Sequence, residues 1–122
     1  MGSSGKILSI GLGDLVSARN AALRLAGYDV VAAISLEDVF RLCASNRFDI
    51  AIVGHAFSMA ERAEFVQCIQ GDFLLPVILI EDGQVLASMH ADSHIHVNDS
   101  PEDLVRAIKH LMHRHGSEAI AV

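Results

Sequence analysis

Lys6-Ile7-Leu8-Ser9-Ile10-Gly11-Leu12-Gly13-Asp14 carries an apolar run of strand length into a glycine turn, and Asp49-Ile50-Ala51-Ile52-Val53-Gly54-His55 does so again. Short aliphatic runs of this kind suit strands covered on both faces by helices. Each is followed by residues at helical spacing. The chain therefore reads as an alternation of strands and helices.

Outward from the first strand, 6–11, Asp14 is placed to cap a helix whose apolar residues are Leu15, Ala18, Ala22, Leu23, Leu25 and Ala26, with Gly27 ending it. Residues 28–32 form a second strand. Ser35 and Asp38 resemble a capping box before Leu36, Val39, Phe40 and Cys43, and the third strand spans 49–53. Ser58 and Glu61 match the capping box fully, opening a helix with Phe65, Val66 and Ile69 that Gly71 should end. Pro76 precedes a fourth strand at 77–80. A short helix is expected at 85–89 and a fifth strand at 94–97. Ser100-Pro101-Glu102-Asp103 is a helix start, with a cap, a first-turn proline and acids at the positive dipole end. Leu104, Ile108, Leu111 and Met112 form its buried stripe, and Gly116 should stop it.

Five strands separated by helices imply parallel pairing with right-handed crossovers. The expected fold is α/β: a doubly wound, five-stranded parallel sheet in the order 2-1-3-4-5, forming a three-layer sandwich. In that order a site falls at the carboxyl ends of strands 1 and 3. Gly11, Leu12, Gly13, Gly54 and His55 would line it.

Composition agrees with one domain. The chain has 122 residues, 52% hydrophobic but only 5% aromatic, which calls for an aliphatic core that needs no disulfide or metal. Residues 1–5 read as a disordered start or cloning remnant, 6–115 as the domain and 116–122 as a tail. A net charge of -6 without a basic cluster outside the last helix argues against nucleic-acid binding. Mean hydropathy is +0.40, high enough to suggest an apolar interface. Cys43 and Cys68 read as small buried hydrophobes in a reducing compartment. Every apolar run is shorter than the roughly 18 residues of a membrane span. A cytoplasmic location is expected.

Leu25-Ala26-Gly27-Tyr28-Asp29-Val30-Val31, Arg47-Phe48-Asp49-Ile50-Ala51, Leu75-Pro76-Val77-Ile78-Leu79 and Ser100-Pro101-Glu102-Asp103-Leu104 are junction phrases spread from Lys6 to about Arg114. In these the chain resembles the receiver domain of bacterial two-component response regulators, a flavodoxin-like fold. The resemblance implies an acidic pair closing strand 1 and a phosphoacceptor Asp closing strand 3, which together bind Mg²⁺. Here those positions hold Gly11-Leu12 and Gly54. The hydroxyl residue expected after strand 4 is replaced by Glu81, the Lys closing strand 5 by Val97, and the proline after it by Asn98. Mg²⁺ requires oxygen ligands and an acyl phosphate requires a carboxylate nucleophile. The resemblance is thus to a degenerate, pseudo-receiver form with no phosphoacceptor, metal, cofactor or catalytic residue.

Other groupings have plainer readings. Asp14, Glu81 and Asp82 could form an acidic cluster, although a cap and a polar turn account for them. Gly11-Leu12-Gly13 opens like a dinucleotide fingerprint, but Val16 stands at the third glycine and no acid ends strand 2. His90, His94 and His96 have spacing compatible with zinc, yet read as solvated surface histidines. The histidines near the C-terminus, His110, His113 and His115, suit the negative end of a helix dipole. His55 has no nucleophile beside it in sequence. The expected function is a non-enzymatic signalling module that binds a protein partner or a second copy. Its expected face joins the 85–89 helix, the fifth strand and the last helix, through Met89, His94, His96, Arg106, Lys109 and His110. The alternative is a small-ligand or nucleotide sensor that uses the glycine-lined pocket.

Overall fold

The computed structural model describes residues 5–82 and 90–120, with side chains through 113. Five parallel strands, β1 (Lys6–Ile10), β2 (Asp29–Ala33), β3 (Ile50–Val53), β4 (Val77–Glu81) and β5 (Ser93–His96), form one sheet in the order β2-β1-β3-β4-β5. Helices α1 (Asp14–Leu25), α2 (Leu36–Ser45), α3 (Met59–Asp72) and α4 (Pro101–Ile120) connect or follow them. The expected sheet order and doubly wound sandwich are both observed. Leu8 lies between Val31 of β2 and Ala51 of β3, which puts β1 at the centre of the switch point.

Strand alternation builds two cores. Leu8, Ile10, Val53 and Leu79 point toward Val39 of α2 and Phe65, Val66 and Ile69 of α3. Ile7, Ile50, Ile52 and Ile78 point the other way, toward Leu23 of α1 and Leu104, Ile108 and Leu111 of α4. β5 lies at the sheet edge and its residues are at most partly buried, so alternation there is polar outside and Ile95 inside.

Helix ends follow local chemistry. Gly27 takes φ +100°, Tyr28 N–H donates to Leu23 O and Gly27 N–H to Arg24 O, which is a Schellman close to α1. Ser58 and Glu61 make the reciprocal capping box expected of them. Ser100 Oγ accepts from Asp103 N–H, and the Asp103 carboxylate accepts from Ser100 N–H, so α4 opens in the same manner.

Several boundaries differ from the sequence pattern. Asp14 does not cap α1: the cap position is Gly13 at φ 93°, ψ -179°, a conformation that favours glycine, and no side chain bonds the first turn. α3 passes through Gly71, and its left-handed terminal residue is Leu74 at φ 55°. α4 likewise runs past Gly116 to Ile120, because one glycine costs only about 1 kcal/mol in a helix interior unless it adopts the left-handed conformation. Phe40 is half-exposed and packs edge-on against Phe73 rather than entering the core. Cys43 and Cys68 are partly buried free thiols. Burial, and then the Asp72 carboxylate, pushes Cys68 up to about 11. The expected 85–89 helix lies outside the described residues. No described helix is long and apolar enough to cross a membrane.

Candidate functional site

The carboxyl ends of β1 and β3 are glycine on both sides of one interface: Gly54 N–H donates to Ile10 O at 2.8 Å, and Gly11 N–H to Ala33 O at 3.1 Å. Without Cβ atoms the strands leave a gap above the sheet. Arg19 of α1 fills it. A Cβ built at Gly11 would stand 3.1 Å from Arg19 Nη2 and 2.5 Å from Val16 Cγ2. One at Gly54 would stand 3.4 Å from Arg19 Nη1 and 3.1 Å from Ile10 O. The two glycines and the guanidinium are therefore sterically matched.

Arg19 is held from below. Its Nη2 donates to Ser9 Oγ at 2.9 Å and to Ile10 O at 3.4 Å, while Ser9 Oγ donates to Asn20 Oδ1 at 2.6 Å. Ser9 is fully buried and Asn20 nearly so. Neither polar group is orphaned, which is the condition for burying them. The guanidinium itself is less well served. Its Nε is closed to solvent without a partner, and no carboxylate pairs with it among the described residues. Burial pushes Arg19 down to about 10, so it stays protonated at neutral pH.

Of the apolar stripe expected for α1, Leu23 is buried and Ala22 partly so, and the rest is exposed. The helix turns Val16, Arg19, Asn20 and Leu23 toward the sheet, leaving Leu15 62% and Leu25 90% exposed. Hydrophobic spacing misses most of this face because the sheet offers α1 aliphatics only around Leu23, and Ser9, Gly11 and Gly54 around Arg19. The available signal was Ser9, a polar residue inside the strand Lys6–Ile10, together with Arg19-Asn20 one turn after Leu15-Val16.

Above Arg19 a mostly apolar cavity of about 190 Å³ opens between α1 and the N-terminus of α4. Leu12, Gly54, His55 and Val97, expected at the degenerate pocket, all line it. Glu81 does not. It is 6% exposed, faces the opposite side of the sheet with Val77 and Leu79, and bonds His94 Nδ1 at 2.5 Å. The polar-turn reading of Glu81 does not hold, because Glu81 ends β4 and is buried, whereas His94 is exposed at the sheet edge as expected and also bonds the Glu81 carboxylate. His96 joins the cavity wall, and its Nδ1 accepts from Asn98 N–H. Arg106, Lys109 and His110 are exposed along one face of α4, with Arg106 paired to Asp103. Met89 lies outside the described residues. No three metal-ligating side chains gather among the described residues.

No protein-family model and no curated protein matches the sequence. Solved structures do. The signal receiver domain of a modulated diguanylate cyclase from Desulfovibrio desulfuricans G20 superposes with TM-score 0.81 at 21% identity, over 93% of this chain and 98% of that one. The CheY-like receiver domain protein from Methanospirillum hungatei JF-1 gives TM-score 0.79 at 18% identity, with the same coverage. The fold is that of a receiver domain. A chemotaxis response regulator of Vibrio cholerae gives TM-score 0.74 at 17% identity over 88% of this chain. On this fold Gly11 and Gly54 follow the carboxyl ends of β1 and β3, and Arg19 of α1 packs over them.

Proposed function

We propose that this chain is a pseudo-receiver: a non-enzymatic regulatory domain of bacterial signalling that works in the cytoplasm through protein contacts, without aspartyl phosphorylation. The supporting observation is the packing of Arg19 against Gly11 and Gly54. A side chain at Gly11 would force Val16 and Arg19 to shift, and an acid at Gly54 would meet the guanidinium that the chain holds with Ser9 and Ile10 O. A nucleophilic carboxylate is absent at Gly54, and Val97 offers no cation for a transferred phosphate. The cation at this site is instead a permanent part of the chain.

The binding face is the exposed row Arg106, Lys109 and His110 of α4 with the adjoining β5 edge, where His94 and His96 are exposed and which Met89 precedes in sequence. Basic side chains on a chain of net charge -6 concentrate attraction for an acidic partner surface in one place. Nucleic acid and membrane are not among the partners proposed. Replacing Arg106 and Lys109 together by Glu should weaken partner capture or self-association and raise its salt dependence, with circular dichroism unchanged. Undiminished binding by that variant would rule out this face.

A further inference from the structure

The cavity above Arg19 combines two features. Its walls are aliphatic, including Leu12, Ala22, Ile80 and Leu104. Its floor carries a guanidinium whose Nη1 and Nε donate to nothing among the described residues. A buried charge without a counter-charge is costly, and chains usually pair it or replace it with an apolar residue. This chain does neither, and leaves the arginine at the base of an open apolar space.

We infer that this cavity is a binding site for a small amphipathic carboxylate, with the acid on Arg19 and an aryl or branched alkyl body among the aliphatic walls. Size sets the class: about 190 Å³ is below the ~300–1,000 Å³ of pockets for drug-sized ligands and above the ~150 Å³ of an engineered cavity known to hold benzene. Charge sets the end group. A planar fork of N–H donors matches a carboxylate, and the low-dielectric walls strengthen that pairing. The lowered proton affinity of Arg19 is consistent with a cation that gains when an anion arrives. Inorganic phosphate has the charge but no apolar body for the walls. Asp99 also reaches the wall, but at the α4 end, where its carboxylate accepts from His96 N–H at 2.8 Å. The acid group of a ligand is therefore directed away from Asp99 and toward Arg19. The inference stands apart from the α4 binding face and does not require it.

Calorimetric titration of the full chain with phenylacetate, its neutral amide, acetate and inorganic phosphate tests this. Phenylacetate should bind saturably, with the amide weaker by about tenfold or more, the scale of one charge-assisted pair. Acetate and phosphate should show no saturation over the same range. Arg19→Met should erase the difference between acid and amide. Ala22→Leu, which fills the wall without touching charge, should weaken acid and amide alike by about tenfold. The second variant and the wild-type acid-to-amide ratio keep the test decisive if Arg19→Met does not fold. Failure of phenylacetate to saturate the folded wild type would overturn the inference. So would phosphate binding as tightly as phenylacetate, or an acid preference that survives Arg19→Met.

Discussion

Arg19→Met is the substitution whose outcome separates a keystone from a tolerated charge. Burial lowers the guanidinium from its ordinary value to about 10, a charging penalty of about 3 kcal/mol in the folded state at about 1.4 kcal/mol per pH unit. Removing the charge recovers that penalty but forfeits the charge-assisted bond from Nη2 to Ser9 Oγ, about 1.5–3 kcal/mol. Ser9 remains satisfied by Asn20 in the variant, so no new orphan is created. The two terms nearly cancel. Urea unfolding followed by circular dichroism should place Arg19→Met within about 1.5 kcal/mol of wild type, with an unchanged slope. Because the folded state lowers the affinity of Arg19 for its proton, the penalty is complete below about pH 10 and is relieved as pH rises through that value. The variant's relative standing should therefore fall, and wild type gain on it, as pH rises through about 10. A loss beyond about 3 kcal/mol at neutral pH would refute the reasoning, since that is the cost of breaking a fully compensated buried charge.

Other outcomes follow from the caps. Ser58→Ala removes one half of the α3 capping box and should cost about 1 kcal/mol by the urea midpoint, whereas no change would mean the box is formed but contributes nothing. The Asp38 carboxyl is held below its ordinary 3.8 by the Ile34 N–H and then Arg41, and Asp103 by the Ser100 hydroxyl and then the Ser100 N–H. A lowered folded value stabilises above the ordinary one and is lost as pH falls through the folded one, so melting temperature should drop below about pH 4. The double replacement of Asp38 and Asp103 by Asn should flatten that acid limb.

The sheet was legible in the sequence because its central strands are short aliphatic runs, two of them closed by glycine, and parallel order follows from their spacing by helices. α4 was legible for a related reason: Leu104, Ile108 and Leu111 repeat on one face and meet a wholly apolar partner. α1 was not. Its buried face is chosen by Ser9, Gly11 and Gly54, which lie on other elements and become neighbours only when the sheet closes. The glycines were read as the loss of carboxylates, which is half of the arrangement. The other half is that their missing side chains make room for Arg19, a relation between residues eight and thirty-five positions away that no local pattern carries. Glu81 was misplaced similarly, since a turn and a buried strand end look alike until β5 brings His94 alongside.

Signalling without aspartyl phosphorylation is tested most directly by intact-mass spectrometry after incubation with acetyl phosphate and Mg²⁺, on the wild type and on Gly54→Asp. The substitution restores a carboxylate, but its Cβ would stand 3.4 Å from Arg19 Nη1, so the new acid is expected to pair with the guanidinium. It would still lack the acidic pair for Mg²⁺ at Gly11-Leu12. Both proteins should keep their unmodified mass. A phosphoryl adduct on the wild type, lost on treatment with hydroxylamine as an acyl phosphate would be, contradicts the account.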